Sequence, residues 1–160
     1  MRCALAADVK PPAQAARGQA FFLDESNAKR CGSCHALAKQ GTAVRPDLSR
    51  LSRLGPRAIL MAVRATRTAY ADRQVEEWRR VPRHAVAQDD TSAQYYDLSV
   101  TPPALRKLDR KDIASVGDNS IWKHPPESAG YTAQQLADVI AFIKWASYGD
   151  TKGVSPDDVQ

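Results

Sequence analysis

The chain has 160 residues, 43% of them hydrophobic and 26% charged, with 23 basic and 18 acidic side chains and a formal net charge of +5. That is the composition of one ordinary globular domain, or one domain with an insertion, and no stretch approaches the ~18 apolar residues that span a bilayer. Basic residues never run longer than two, which speaks against the concentrated, aromatic-interleaved stripe of a nucleic-acid surface, whereas a basic balance suits an acidic protein partner or an anionic surface.

In chain order, the first seven residues contain Ala4-Leu5-Ala6, the small-residue pattern that precedes a signal cleavage site. Residues 1–11 are therefore expected to be an export-signal remnant and flexible N-terminus. Pro11-Pro12 opens a small-residue helix running to Phe22, with Pro12 suited to the first helical position. Cys31-Gly32-Ser33-Cys34-His35 follows it. Leu54-Gly55-Pro56 opens a second helix, with Ile59, Leu60 and Val63 apolar down to about Thr66. From about residue 68 to 117 the period changes. Here His84–Ala87 and Ala93–Val100 flank Gln88-Asp89-Asp90-Thr91, a hairpin signal, and Leu105–Leu108 and Ile113–Val116 are predicted to complete a small antiparallel sheet. Such a β-rich stretch is too small and polar to fold independently and is expected to pack on the helical body. The clearest helix comes last. Thr132 and Gln135 form a capping box, with Tyr131 and Leu136 as its hydrophobic staple. Leu136, Val139, Ile140 and Ile143 then fall on one helical face, Gly149 is placed to end it, and residues 149–160 are set apart as a C-terminal tail.

Three cysteines, with Cys3 alone near the start, speak against a disulfide framework. Cys31-x-x-Cys34-His35 is instead the attachment pattern of a c-type haem. Two cysteines three apart in a turn set their sulfurs beside the two vinyl groups of one haem edge, and the next residue, His35, lies under the iron as its imidazole ligand. Two rival readings stay open. A zinc site needs four ligands, and beyond Cys31, Cys34 and His35 there remain only His84 and His124, forty residues apart. A thioredoxin-like redox pair expects a buried strand before the first cysteine, where Asp24-Glu25-Ser26-Asn27-Ala28-Lys29-Arg30 stands.

With Gly18 and Phe22 before this motif, Arg45-Pro46-Asp47-Leu48 after it, and Phe142 and Trp145 near the end, the chain resembles the class I cytochromes c. The resemblance implies a mainly α cytochrome c fold spanning residues 12–148 and carrying one covalently bound haem c. Gly18 and Phe22 would mark the close crossing of the first and last helices, with Phe142 or Trp145 as the aromatic on the other side. Arg45-Pro46-Asp47-Leu48 is similar to the family's Gly-Pro-x-Leu segment, whose proline carbonyl accepts a hydrogen bond from the proximal histidine. Pro46 would thus orient His35, although Arg45 stands where glycine is usual. The antiparallel β insertion at about 68–117 looks like that of a subgroup of bacterial cytochromes, some linked to quinoprotein dehydrogenases.

The family's second iron ligand is a methionine followed by proline, shortly before the C-terminal helix. This chain has Trp122-Lys123-His124-Pro125-Pro126 there, so His124 is the expected second ligand. Met61, the only internal methionine, comes early and beside Ile59, Leu60 and Val63, which suits core packing; His84 and Lys123 are weaker candidates. The resemblance implies a periplasmic one-electron carrier, not an enzyme, exchanging electrons with redox proteins such as a dehydrogenase or reductase. The alternative is a haem sensor or peroxidase-like protein with an open distal site.

Overall fold

A computed structural model describes residues 9–27, 30–64, 73–77, 83–97, 100, 103–118 and 131–160. The chain divides into two compact units, one of residues 1–65 with 125–160 and one of residues 66–124.

The first unit is helical. In chain order it holds α1 (Ala13–Leu23), a 3₁₀ turn (Cys31–Ser33), the two-residue strands β1 (Ala36–Leu37) and β2 (Gln40–Gly41), and a 3₁₀ segment (Leu48–Arg53). Then come α2 (Pro56–Arg64), α3 (Ala133–Tyr148) and a last 3₁₀ turn (Pro156–Val159). Pro12 lies one place before the helix it was predicted to begin: it is the N-cap, and its carbonyl accepts from Ala16 N at 2.9 Å.

α3 is capped as its sequence prescribes. Thr132 Oγ1 accepts from Gln135 N at 3.2 Å, Gln135 Oε1 accepts from Thr132 N at 2.9 Å, and Gly149 closes the helix at φ +70°. Its burial departs from the single face predicted, because every residue from Leu136 to Ile143 is buried. A helix covered on all sides needs neighbours all round it. α1, the Leu48–Arg53 segment and the Pro156–Val159 turn supply them.

α1 crosses α3 at Gly18, where an added Cβ would lie 1.8 Å from the Asp138 carbonyl oxygen and 2.9 Å from Phe142 Cβ. Phe142 is the aromatic at that crossing, edge-on to Phe22 at 5.5 Å, while Trp145 is only partly buried at the margin of the core. Phe22 and Phe142 are at most 1% exposed, and burying each contributes about 2 to 3 kcal/mol. One charge is enclosed in this contact. The Asp138 carboxylate, 1% exposed as a residue, accepts from Arg17 at 2.8 and 3.2 Å and from Gln134 at 2.9 Å. Residues 149–160 add Val154 and Val159 to the same core, and Gln14 holds Val154 through bonds of 2.8 and 2.9 Å.

The second unit is antiparallel β. The predicted hairpin is present as β4 (Arg83–Gln88) and β5 (Ser92–Asp97), with β6 (Ala104–Asp109) on the other side of β5. The predicted single sheet is corrected to two. β7 (Ile113–Asp118) does not join β6 but pairs with β3 (Arg73–Glu77), in the register Val75↔Val116. Along β5 the pleat alternates: Ala93, Tyr95 and Asp97 are buried and Gln94 is exposed.

Candidate functional site

Cys31, Gly32 and Ser33 form one 3₁₀ turn after the loop that follows α1, and the Cys31 carbonyl accepts from both Cys34 N (3.2 Å) and His35 N (2.9 Å). In this geometry residues three apart eclipse, so Cys31 and Cys34 project from the same side of the turn. Neither cysteine is in a disulfide. Glycine at 32 answers a steric demand, since a Cβ there would lie 2.6 Å from the Phe22 carbonyl oxygen.

A tight hairpin wraps this turn. β1 and β2 pair as Ala36↔Gly41 and Leu37↔Gln40, leaving Ala38 and Lys39 as a two-residue loop with φ of 50° and 66°. Two positive φ values make it the primed hairpin turn that favours Asn-Gly, so Ala38 and Lys39 are strained there. The returning strand then closes on the turn. Thr42 N donates to Gly32 O at 2.9 Å, and Val44 N and Arg45 N donate to Cys34 O at 3.1 and 2.9 Å. Gly41, at φ +83°, passes so near the His35 carbonyl that a Cβ would lie 2.3 Å from it.

The strand ends by presenting the Pro46 carbonyl 2.8 Å from His35 Nδ1. A carbonyl only accepts, so Nδ1 carries the proton and the ring's lone pair resides on Nε2. The loop reaches this geometry with Arg45, itself buried, in the place where the resembling family has glycine. Asp47 then caps the Leu48–Arg53 segment, accepting from Ser49 N at 2.7 Å.

The electrostatics separate the rival chemistries. Burial pushes the Cys31 thiol up to about 11, the Tyr131 hydroxyl beside it pulling the other way. A redox-active first cysteine has the opposite property, a thiolate at neutral pH. Among the described residues no three His, Cys, Asp or Glu side chains are grouped as a metal site would need. Sequence reasoning used Tyr131 only as a helix staple. In the structure its hydroxyl also donates to the Phe21 carbonyl at 2.8 Å, and burial, with the neighbouring Cys31, raises its pKa well above the ordinary value. Nothing local foretold that contact, because Phe21 lies 110 positions away.

Of the other candidates, Lys123 and His124 lie outside the described residues. His84 is on β4, in the second unit. Met61 was expected in the core and is instead 64% exposed. α2 buries Ile59 and Leu60, and at 100° per residue the next position turns outward.

Among known families, the model described as Cytochrome c matches residues 15–147. No curated protein matches the chain.

Proposed function

Because the chain belongs to the cytochrome c family, whose work is haem-based electron transfer, we propose that it is an exported one-electron carrier holding a single haem c through Cys31 and Cys34. The observation that carries this reading is the placement of both thiols and His35 on one turn, with His35 Nδ1 held by Pro46 at 2.8 Å. The donor set fits the group. Cys31 and Cys34 would hold the haem through two thioethers, each thiol's S–H being added across one vinyl so that sulfur and proton go to its two carbons. His35, its Nδ1 held by the Pro46 carbonyl so that Nε2 is left as the base, would be the iron ligand. The hydrogen bonds from Thr42, Val44 and Arg45 hold the turn still while charge changes beside it. When bound, the haem supplies reversible gain and loss of one electron.

The second ligand in this reading is His124, supported by its position before Pro125 and ahead of the Thr132 cap. A thioether favours ferrous iron, whereas a second imidazole donates more strongly and favours ferric iron. Axial identity tunes haem potentials over a range of ~0.8 V, so a carrier with two imidazoles works at low potential. The periplasm is the compartment proposed, with a dehydrogenase or reductase as partner class.

Mass spectrometry of the mature protein tests the attachment. It is expected to weigh one haem more than its polypeptide, with a pigment that acid-acetone does not extract; a colourless protein with stoichiometric zinc overturns the reading. The ligand is tested separately. The ferric protein should lack the near-infrared band of an iron–sulfur bond, His124→Met should raise the midpoint potential, and His124→Ala should admit carbon monoxide. An unchanged six-coordinate spectrum in His124→Ala places the ligand elsewhere.

A further inference from the structure

The positive charge of the chain is concentrated. Residues 30–64 contain seven basic side chains and one acid, Asp47, whereas the whole chain has 23 and 18. That segment alone is therefore at +6, and the remainder of the chain at −1. Four of its cations, Lys39, Arg50, Arg53 and Arg57, are exposed, and among the described residues none has a carboxylate within ion-pair distance. Some cations elsewhere are matched by carboxylates, as in Arg17–Asp138 at 2.8 Å, Arg106–Asp97 at 3.0 Å and Lys144–Asp150 at 3.3 Å.

Apolar groups stand among these charges. α2 turns Ile59 and Leu60 into the core, which leaves Arg57 and Met61, one turn apart, together on its outer side. Leu54, in the short link before α2, is 42% exposed. Arg53 lies over the Tyr148 ring, 5.4 Å from its centroid, and donates to the Tyr148 hydroxyl. Exposed Met, Tyr and Arg around a small apolar centre are the composition of a protein interface, where lysine is depleted. Guanidinium forks match carboxylates in pairs, which a diffuse anionic surface does not exploit. Arg50 also follows Pro46 of the candidate site by only four residues in sequence.

We propose that the outer face of α2, together with Arg50, Arg53 and Leu54, is the docking surface for an acidic electron-transfer protein. This rests on the electron-carrier reading above. The arginines steer the partner's carboxylates from a distance, and Leu54 and Met61 form the centre that loses water on contact.

The holoprotein is reduced by a photoreduced acidic flavodoxin, used as probe, over a range of ionic strengths. The wild-type bimolecular rate should fall as salt rises. Arg50→Glu/Arg57→Glu, which leaves the Arg53–Tyr148 contact intact, should slow the reaction about tenfold or more at low salt and converge with wild type at high salt. Lys10→Glu/Lys107→Glu makes the same change in net charge on exposed residues outside residues 30–64, and should slow it by less than about threefold. Met61→Ala should lower the rate without changing the salt slope. Each variant must keep the wild-type haem spectrum and midpoint potential. Equal slowing by the two charge-reversal pairs, or none by the arginine pair, overturns the docking surface while the electron-carrier reading stands. A wild-type chain with no reducible haem overturns the electron-carrier reading. If the arginine pair abolishes binding to phosphatidylglycerol-containing vesicles but leaves flavodoxin reduction unchanged, the face serves a membrane and the proposal fails.

Discussion

In the helical unit, α1 and α3 approach so closely that a single methyl on Gly18 would sit 1.8 Å from a backbone oxygen, whereas in the β unit the best-defined polar contact is a turn organised by one exposed carboxylate, Asp89. The helical crossing is made of interdigitated apolar groups and one enclosed charge. In β5 the buried positions are shared between the apolar Ala93 and Tyr95 and the polar Ser92 and Asp97. Asp89 accepts from Thr91 N and Ser92 N, each at 2.7 Å, and Arg106 reaches Asp97 at 3.0 Å. The two units are thus specified differently. Close packing tolerates no added volume and answers to pH only through the enclosed Asp138, whereas a turn held by a carboxylate tolerates volume and depends on that carboxylate throughout.

The contrast is broken most severely by Gly18→Ala. The methyl cannot be accommodated against backbone, so α1 and α3 must part; the expected loss is about 3 kcal/mol or more, measured by denaturant unfolding of the holoprotein. A smaller effect is expected of Asp138→Asn. Burial by itself would raise the Asp138 pKa, but the Arg17 and Gln134 hydrogen bonds hold it below the ordinary 3.8. Its contribution is therefore full above that value and lost as the pH falls through the depressed one. Asp138→Asn should cost about 1 to 3 kcal/mol at pH 7 and progressively less as the pH is lowered below the ordinary carboxylate range, so unfolding curves over a pH series check the sign.

The third substitution works in the other direction. Ala38→Asn/Lys39→Gly places the residues that a primed turn prefers where positive φ values are already present, and should raise stability by about 1 kcal/mol without altering the haem spectrum. The smallest and most local effect is expected in the β unit. Hydrogen bonds from Thr91 and Ser92 lower the Asp89 pKa to about 2. Amide exchange at the β4–β5 turn should stay slow until the pH falls toward 2, and Asp89→Ala should speed it at all higher pH while leaving α3 protected. Equal acceleration in α3 would mean that the two units open together.

Short-range features were legible in advance for a common reason. The capping box of Thr132 and Gln135, the Gly149 stop, the β4–β5 hairpin and the Cys31-to-His35 turn each depend on residues within a few positions of one another, so their chemistry is written in the order of the chain. The Pro46 contact reaches eleven positions and was foreseen only because a resemblance supplied the pairing. Met61 was misjudged because apolar neighbours in sequence are not neighbours on a helix.

The donors of the candidate site, the caps of α3 and the total charge follow from the order of the residues alone. The folded chain decided that β3 and β7 pair across some forty residues, that α3 is covered on every side, and that Val154 and Val159 belong to the core. It also decided that Leu54 and Met61 are exposed while Ile59 and Leu60 are buried. Local order can state what a residue offers, but burial and ion pairing are set by whatever the folded chain brings against it, and those neighbours come from anywhere along its length.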